Sequence, residues 1–362
     1  MAIPYFIITA ISGFIAKLVP NAKKEDYGEL TSKRKSVNAK TGFVIICIIL
    51  VCFSAFRQLK AVGNDEYAYR NRYNYLETQS LAEVLSNDES GASLLTTIFW
   101  FSTRITTTNQ GGIMVTGFLT VFLLLLALRR DAKDFSYAIV MLMATGYFFN
   151  TFNGIAQCLA AAVALYAFKY VYNKEPYKFF LAVIICCTIH TASAILFLLY
   201  FICNTRVGSV KMYLWDFAFL AGAIIMYRLL PFIIPQYNIL TDYQEIITEG
   251  HHGVNIVTIL ISVAPAIIAL LMAQKIDPND RVTTVTAHMT IINALIYIAG
   301  SMDVYIARFA LFTDIFVVIF LSRILKYFKD KYGILKILTV ILYSSVALYR
   351  MSGAYYTFNF VW

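Results

Sequence analysis

Residues 176–205 read PYKFFLAVIICCTIHTASAILFLLYFICNT, and the reading of this stretch sets the polarity of half the chain. Taken as one membrane crossing, it leaves Arg206, Lys211, Lys275, Arg281 and the Arg323-to-Lys336 cluster on the outer side. It also puts the connection 231–253, which has no Lys or Arg, inside. Cytoplasmic connections carry the excess of Lys and Arg, so this reading fails loop after loop. Taken as a hairpin of two short helices with its apex near His190, every one of these assignments reverses and the rule holds. Pro176 suits the first turn of the opening helix, where its missing N–H costs nothing. The hairpin is the reading adopted.

Composition supplies the membrane. Of 362 residues, 59% are hydrophobic and only 14% charged, against about 25% charged in a soluble domain. A bilayer covers apolar surface that so few charges cannot hydrate. Apolar stretches approaching a bilayer crossing in length fall near 3–19, 42–58, 111–128, 135–151, 154–172, 176–205, 212–230, 254–274, 283–300, 303–325 and 333–350. The net charge of +9 lies between these stretches. It therefore reports topology rather than nucleic-acid binding. The six cysteines sit in or beside apolar runs without metal-ligand or disulfide spacing, which marks them as small packing residues. The first apolar stretch lacks a basic leader and an Ala-x-Ala site, so it is expected to be retained. No internal repeat is visible.

The connection 20–41, with Lys23, Lys24, Lys33, Arg34, Lys35 and Lys40, is assigned to the cytoplasm. The N-terminus and 57–91 are then outside. Residues 92–105 are too short and polar for a span and read as interfacial or re-entrant. The expected architecture is a single all-α polytopic membrane domain over 1–362. It has about twelve crossings, both termini outside, and external loops at 57–110 and 231–253. Of the 30 basic residues, 22 then lie inside and 8 outside: Arg57, Lys60, Arg70, Arg72, Arg104, Arg228, Arg308 and Arg350. Seven of those eight are Arg, while the inner set is mostly Lys. Topology needs only charge, whereas the planar Arg fork suits phosphate and carboxylate. The outer face is thus arranged for an anionic ligand.

Candidate site residues follow from that face. Gly63-Asn64-Asp65 reads as a turn that places Asp65, Tyr67 and Tyr69 just outside the membrane. At the turn near 151–154, Asn153 is either a cap for the next helix or a polar contact. Gln157, one turn on, needs hydrogen-bond partners if buried. His190 is an ionisable group in an apolar setting, by default a functional candidate. Asp303 and Arg308 open the segment 303–325, and the Arg308 cation calls for a carboxylate or a bound phosphate. Asp314, deeper in that segment, is expected to pack against a polar neighbour, and His288 to pack. His251 and His252 read as solvated. No His or Cys array suggests a metal, and no cofactor is called for.

Taken in order, several fragments resemble the EpsG-like, Wzy-type family of bacterial exopolysaccharide and O-antigen polymerases. They are Arg57 with Gly63-Asn64-Asp65-x-Tyr67-x-Tyr69; Asn153-Gly154-Ile155-Ala156-Gln157; Thr188-Ile189-His190-x-x-Ser193; and Arg308-Phe309 before a long apolar helix. One position departs: Ala156 stands where the family carries an arginine. The resemblance implies a helical fold with external loops partly covering an outer-leaflet cavity, similar to GT-C glycosyltransferases. It also implies a setting in the bacterial cytoplasmic (inner) membrane. The implied reaction moves a glycan from a polyprenyl diphosphate onto the non-reducing end of a lipid-linked repeat unit. The implied partners are those lipid-linked glycans, membrane lipids and a chain-length regulator. Under this resemblance Arg308, with Arg57 and Arg104, holds the diphosphate. His190 serves as base or as a second diphosphate contact, Asp65 is the other base candidate, Asn153 and Gln157 position sugar, and Tyr67, Tyr69 and Asp303 are substrate contacts. A lipid-linked oligosaccharide flippase and a glycan ligase are the rival classes.

Overall fold

The computed structural model describes residues 2–17, 19, 29–57, 66–86, 92–233 and 253–352. Among the described residues the chain is helical throughout and forms no strand. It divides into two compact units, Met1–Phe197 with Leu321–Trp362, and Leu198–Phe320. The expected loop 231–253, with His251 and His252, lies almost wholly outside the described residues.

The first unit holds α1 (Ala2–Ala16), α2 (Glu29–Ala55), α3 (Glu66–Glu77), α4 (Leu81–Ser86), α5 (Ser93–Ile105) and α6 (Gly111–Asp131). It continues with α7 (Phe135–Ala144), α8 (Tyr147–Asn150), α9 (Ile155–Tyr172) and α10 (Pro176–Ile189). Its last helix, α17 (Tyr332–Ser352), follows the second unit in sequence. α6 and α9 form the centre: α6 packs against α2, α5 and α9, and α9 against α10. Leu124, Leu125 and Leu128 of α6 and Leu165 and Phe168 of α9 are fully buried there. α6 and α9 are also long and apolar enough to cross a membrane.

The stretch 176–205 turns back on itself. His190 adopts an extended backbone, φ −154° and ψ 117°, that ends α10. A 3-10 turn, Thr191–Ala194, then leads into α11 (Ile195–Cys203). The rings of Phe180 and Phe197, one on each arm, lie 5.4 Å apart. A straight helix would separate residues 17 positions apart by about 25 Å. Ser193 Oγ closes the bend by donating to the Cys186 carbonyl at 3.3 Å.

The expected crossing 135–151 is not one helix. It breaks after α7 at Gly146, whose φ of 77° is left-handed, a conformation that glycine adopts without steric cost. At the other end of α7, the Asp131–Asp134 turn is fastened by charge. Arg130 binds the Asp131 carboxylate with two nitrogens, at 2.5 and 2.6 Å. Tyr172 donates to the same carboxylate, and Arg323 to the Asp131 carbonyl. Asp134 caps α7 through the Tyr137 amide and accepts from Lys336 at 2.7 Å and from Tyr332.

The second unit contains the end of α11, α12 (Val210–Ile233), α13 (Ile256–Leu271), α14 (Arg281–Ala299), α15 (Val304–Ala307), a 3-10 turn (Arg308–Phe312) and the start of α16 (Asp314–Ile324). α14 packs against α12 and α13 and is buried along most of its length. Asp280 caps it by accepting from the Thr283 amide and hydroxyl. His288 is fully buried with Nε2 2.9 Å from the Thr205 carbonyl, the packing role its setting predicts. The expected apolar helix 303–325 is broken too, because Thr313 and Asp314 are drawn sideways. Asn293 donates to Thr313 Oγ1 at 2.9 Å and to Asp314 at 2.7 Å, and Tyr297 donates to Asp314 at 3.1 Å. A half-buried carboxylate is stabilised by such partners, and they are the polar neighbours expected for Asp314.

Candidate functional site

The first unit gathers several of the residues singled out by sequence around the turn between α8 and α9. Arg57, just past α2, is buried, 3% exposed. Its Nη1 donates to the Ser54 carbonyl at 2.5 Å, and its guanidinium lies 4.6 Å from the centre of the Phe152 ring. A desolvated cation over an aromatic face is held by the ring quadrupole. Gln110, at the start of α6, donates to the Arg57 carbonyl at 2.7 Å. Arg57 therefore braces the turn that carries Asn153.

That turn passes through Gly154 at φ 63° and ψ 42°. Gly154, not Asn153, is the residue from which α9 starts, and no side chain caps the helix. The capping role open to Asn153 is not taken up. Its Oδ1 is buried and accepts no hydrogen bond among the described residues. Such an acceptor carries a desolvation cost that a donor from a ligand would offset. Gln157, one turn into α9, is also buried. Tyr69 arrives from α3: its hydroxyl meets the Ala156 amide at 3.4 Å, and its ring packs on Ile113 and Ile155.

His190 lies at the same end of the α9–α10 pair. Those helices run antiparallel: Phe168 meets Phe179 at 5.2 Å, and Cys186 Sγ meets the Ala160 carbonyl at 3.5 Å. His190 is one turn past Cys186, and Gln157 about one turn before Ala160. The ring is half-buried, and Nδ1 accepts from the Ala192 amide at 3.2 Å. A hydrogen bond accepted at Nδ1 fixes the tautomer with the proton on Nε2 when the ring is neutral. Arg104 sits on α5, exposed, 5.0 Å from the Trp100 ring, with Nη2 on the Gln79 carbonyl at 2.6 Å. Tyr67 lies in α3, and Asp65 falls outside the described residues.

In the second unit, Asp303 Oδ1 accepts from the Tyr305 amide at 2.7 Å and caps α15. Arg308 is exposed at the head of the 3-10 turn, 4.6 Å from the Tyr305 ring. Among the described residues no three His, Cys, Asp or Glu side chains are placed to hold a metal ion.

Residues 40–360 match the EpsG family. The chain belongs to the EpsG family. Neither the curated proteins nor the solved structures searched gave a match. The EpsG family is a bacterial membrane polymerase family associated with exopolysaccharide biosynthesis. Membership and the apolar helices together make this a membrane protein with a role of the polysaccharide-polymerase type.

Several residues of this EpsG-family site escape a reading of sequence alone. Ser54 stands three positions before Arg57, a spacing that puts both on one helical face, so its role was legible in principle. Phe152 looks like any aromatic of an apolar run. The pairing of Arg72 with Thr96, and of Tyr73 with the Thr106 carbonyl at 2.8 Å, joins α3 to α5 across a span with no local signal.

Proposed function

We propose that the chain is a membrane glycosyltransferase of the Wzy type. In this reading it transfers a glycan from a polyprenyl diphosphate onto the non-reducing end of a lipid-linked repeat unit, at the outer face of the bacterial cytoplasmic membrane. The observation that carries it is the α8–α9 turn. A buried, aromatic-stacked Arg57, an Asn153 oxygen without a partner among the described residues, the Tyr69 hydroxyl and Gln157 converge there, inside a chain of the EpsG family. Amide and hydroxyl groups of this kind suit sugar hydroxyls. Arg57 acts by fixing the turn on which they are presented.

In the proposed reaction the acceptor hydroxyl attacks the anomeric carbon. The bond to the diphosphate oxygen breaks, and the lipid diphosphate leaves with the electron pair. A base takes the hydroxyl proton, and cations stabilise the charge that develops on the leaving group. His190 can take that proton only at Nδ1, with the acceptor hydroxyl replacing the Ala192 amide there; Asp65 is the alternative base. Arg308, exposed beside Tyr305 in the second unit, is the candidate for the diphosphate. Asp303 is given a positioning role, since its carboxylate caps α15 ahead of Arg308.

The test is polymer length in cells producing His190→Ala, Asp65→Ala or Arg308→Ala at matched membrane levels. The reading expects chains to collapse to single repeat units in Arg308→Ala and in at least one of the other two. Wild-type chain length in all three would end it. Purified protein that lengthens lipid-linked glycan without moving it between leaflets excludes the flippase. Transfer to a water-soluble or lipid A-type acceptor alone would favour a ligase.

A further inference from the structure

The helix α5 is amphipathic in the sense opposite to a water-facing helix. Its buried face carries Leu95, Thr96, Phe99, Ser102 and Thr103. Its outward face carries Phe101, 56% exposed, and Ile105, 58% exposed, with Arg104 between them. The neighbouring α4 adds Leu81 and Leu85, also exposed, while burying Val84. A helix bordering water turns its polar stripe outward. This one keeps Thr96, Ser102 and Thr103 inward with Leu95 and Phe99 and exposes the large apolar Phe101 and Ile105, which fits hydrocarbon. At 13 residues it is about 20 Å long, short of the roughly 30 Å core of a bilayer. A helix of that length can lie against lipid but does not span the core.

The inward hydroxyls belong to the region of the candidate site. Thr96 receives Arg72, and the Phe99 ring meets Tyr69 at 5.8 Å. Tyr69 in turn reaches the Ala156 amide. One helix therefore separates the apolar exterior from the side chains leading to the Asn153 turn. The exterior face is not apolar alone. Arg104, stacked on Trp100, stands directly beside Phe101 and Ile105. A cation bordering an exposed hydrocarbon-compatible face matches a ligand whose phosphate adjoins a hydrocarbon chain.

We infer that α5 is the docking face for the isoprenoid chain of a lipid diphosphate. Phe101, Ile105 and Leu85 contact the chain, and Arg104 contacts the diphosphate. The inference rests on the reading that the substrate is lipid-diphosphate-linked. It adds where the substrate leaves the bilayer: past α5, toward the turn between α8 and α9.

The experiment places a photoreactive benzophenone side chain at position 101 or 105 of the full-length protein in proteoliposomes. Position 77 serves as control, because Glu77 is exposed on α3 among polar neighbours. The probe is a radiolabelled polyprenyl diphosphate. The expected result is labelling at 101 and 105 several-fold above 77, competed by unlabelled polyprenyl diphosphate but not by phospholipid, and reduced several-fold by Arg104→Gln. Labelling that phospholipid competes equally well would make the face a general lipid contact and overturn the inference, as would labelling no greater than at 77. Glycan lengthening by the purified protein is measured in parallel. Competed labelling without lengthening keeps the docking face and defeats the polymerase reading. Lengthening without competed labelling defeats the docking face alone.

Discussion

At the scale of single residues, Arg57 and Gly154 make the strongest claims. Arg57 holds the Phe152 ring and the end of α2 together through a planar guanidinium. Lysine keeps the charge but loses the fork and the flat stacking surface. Arg57→Lys is expected to cost about 1–2 kcal/mol of that interaction, roughly a tenfold loss of polymer per folded protein. Phe152→Leu should cost a similar amount, and the double variant little more than either, since both remove one contact. Full additivity in polymer yield would show that the two act separately. Gly154→Ala places a Cβ in a left-handed conformation, at about 1–2 kcal/mol. Its unfolding temperature in detergent should fall, and less so for Gly154→Asn, because asparagine tolerates that region better. Sequence alone showed that this turn carries polar groups, but not which residue would start the helix. Asn153 has a capping side chain. The backbone, however, bends at Gly154, and the cap position moves one residue on.

The elements show where hydropathy stops informing. The stretches 135–151 and 303–325 read as continuous spans because they are apolar on average, even with Asp303, Arg308 and Asp314 in the second. Hydropathy reports removal from water and is silent on whether the helix continues. The first breaks at Gly146, and the second at a carboxylate pulled toward Asn293 and Tyr297. The stretch 92–105 was by contrast legible as too short for a span, because length is local, and α5 is 13 residues long. The Asp134 cap of α7 offers a test at this scale. Burial alone would raise its carboxyl, but hydrogen bonds from Lys336, Tyr332 and the Tyr137 amide hold it below the usual carboxylate value. A carboxyl that binds protons less readily when folded stabilises the fold above its unfolded value, near 3.9, and loses that contribution as pH falls through its lower folded value. Unfolding of the purified protein on acidification should therefore shift in Asp134→Asn, which lacks this titration. At neutral pH the same variant keeps the cap, since asparagine accepts from the Tyr137 amide as aspartate does, and should be less stable by about 0.5–1 kcal/mol through the lost ion pair with Lys336. An acid unfolding curve identical to wild type would remove Asp134 from the account.

For the whole molecule, the reversal at His190 matters most, because every loop after it inherits its orientation. The positive-inside argument made the stretch 176–205 a hairpin, and Phe180 against Phe197 shows the chain turning back there. What charge cannot supply is depth. The arms are 14 and 9 helical residues, α10 and α11, about 21 and 14 Å. On the hairpin reading they enter the bilayer together and leave on the side they came from. A reporter of sidedness reads this directly. Phosphatase fused after Asn173 or after Thr205 is expected to be inactive in both cases, since the hairpin reading puts both points in the cytoplasm, where the enzyme does not fold. Fusion after His252 is expected to be active. A single crossing would make the Thr205 fusion active and the His252 fusion inactive, and would turn Arg308 to the cytoplasmic side. The diphosphate role assigned to Arg308 requires the outer face, so this measurement decides both the polarity of the second half of the chain and whether Arg308 can take part in chemistry there.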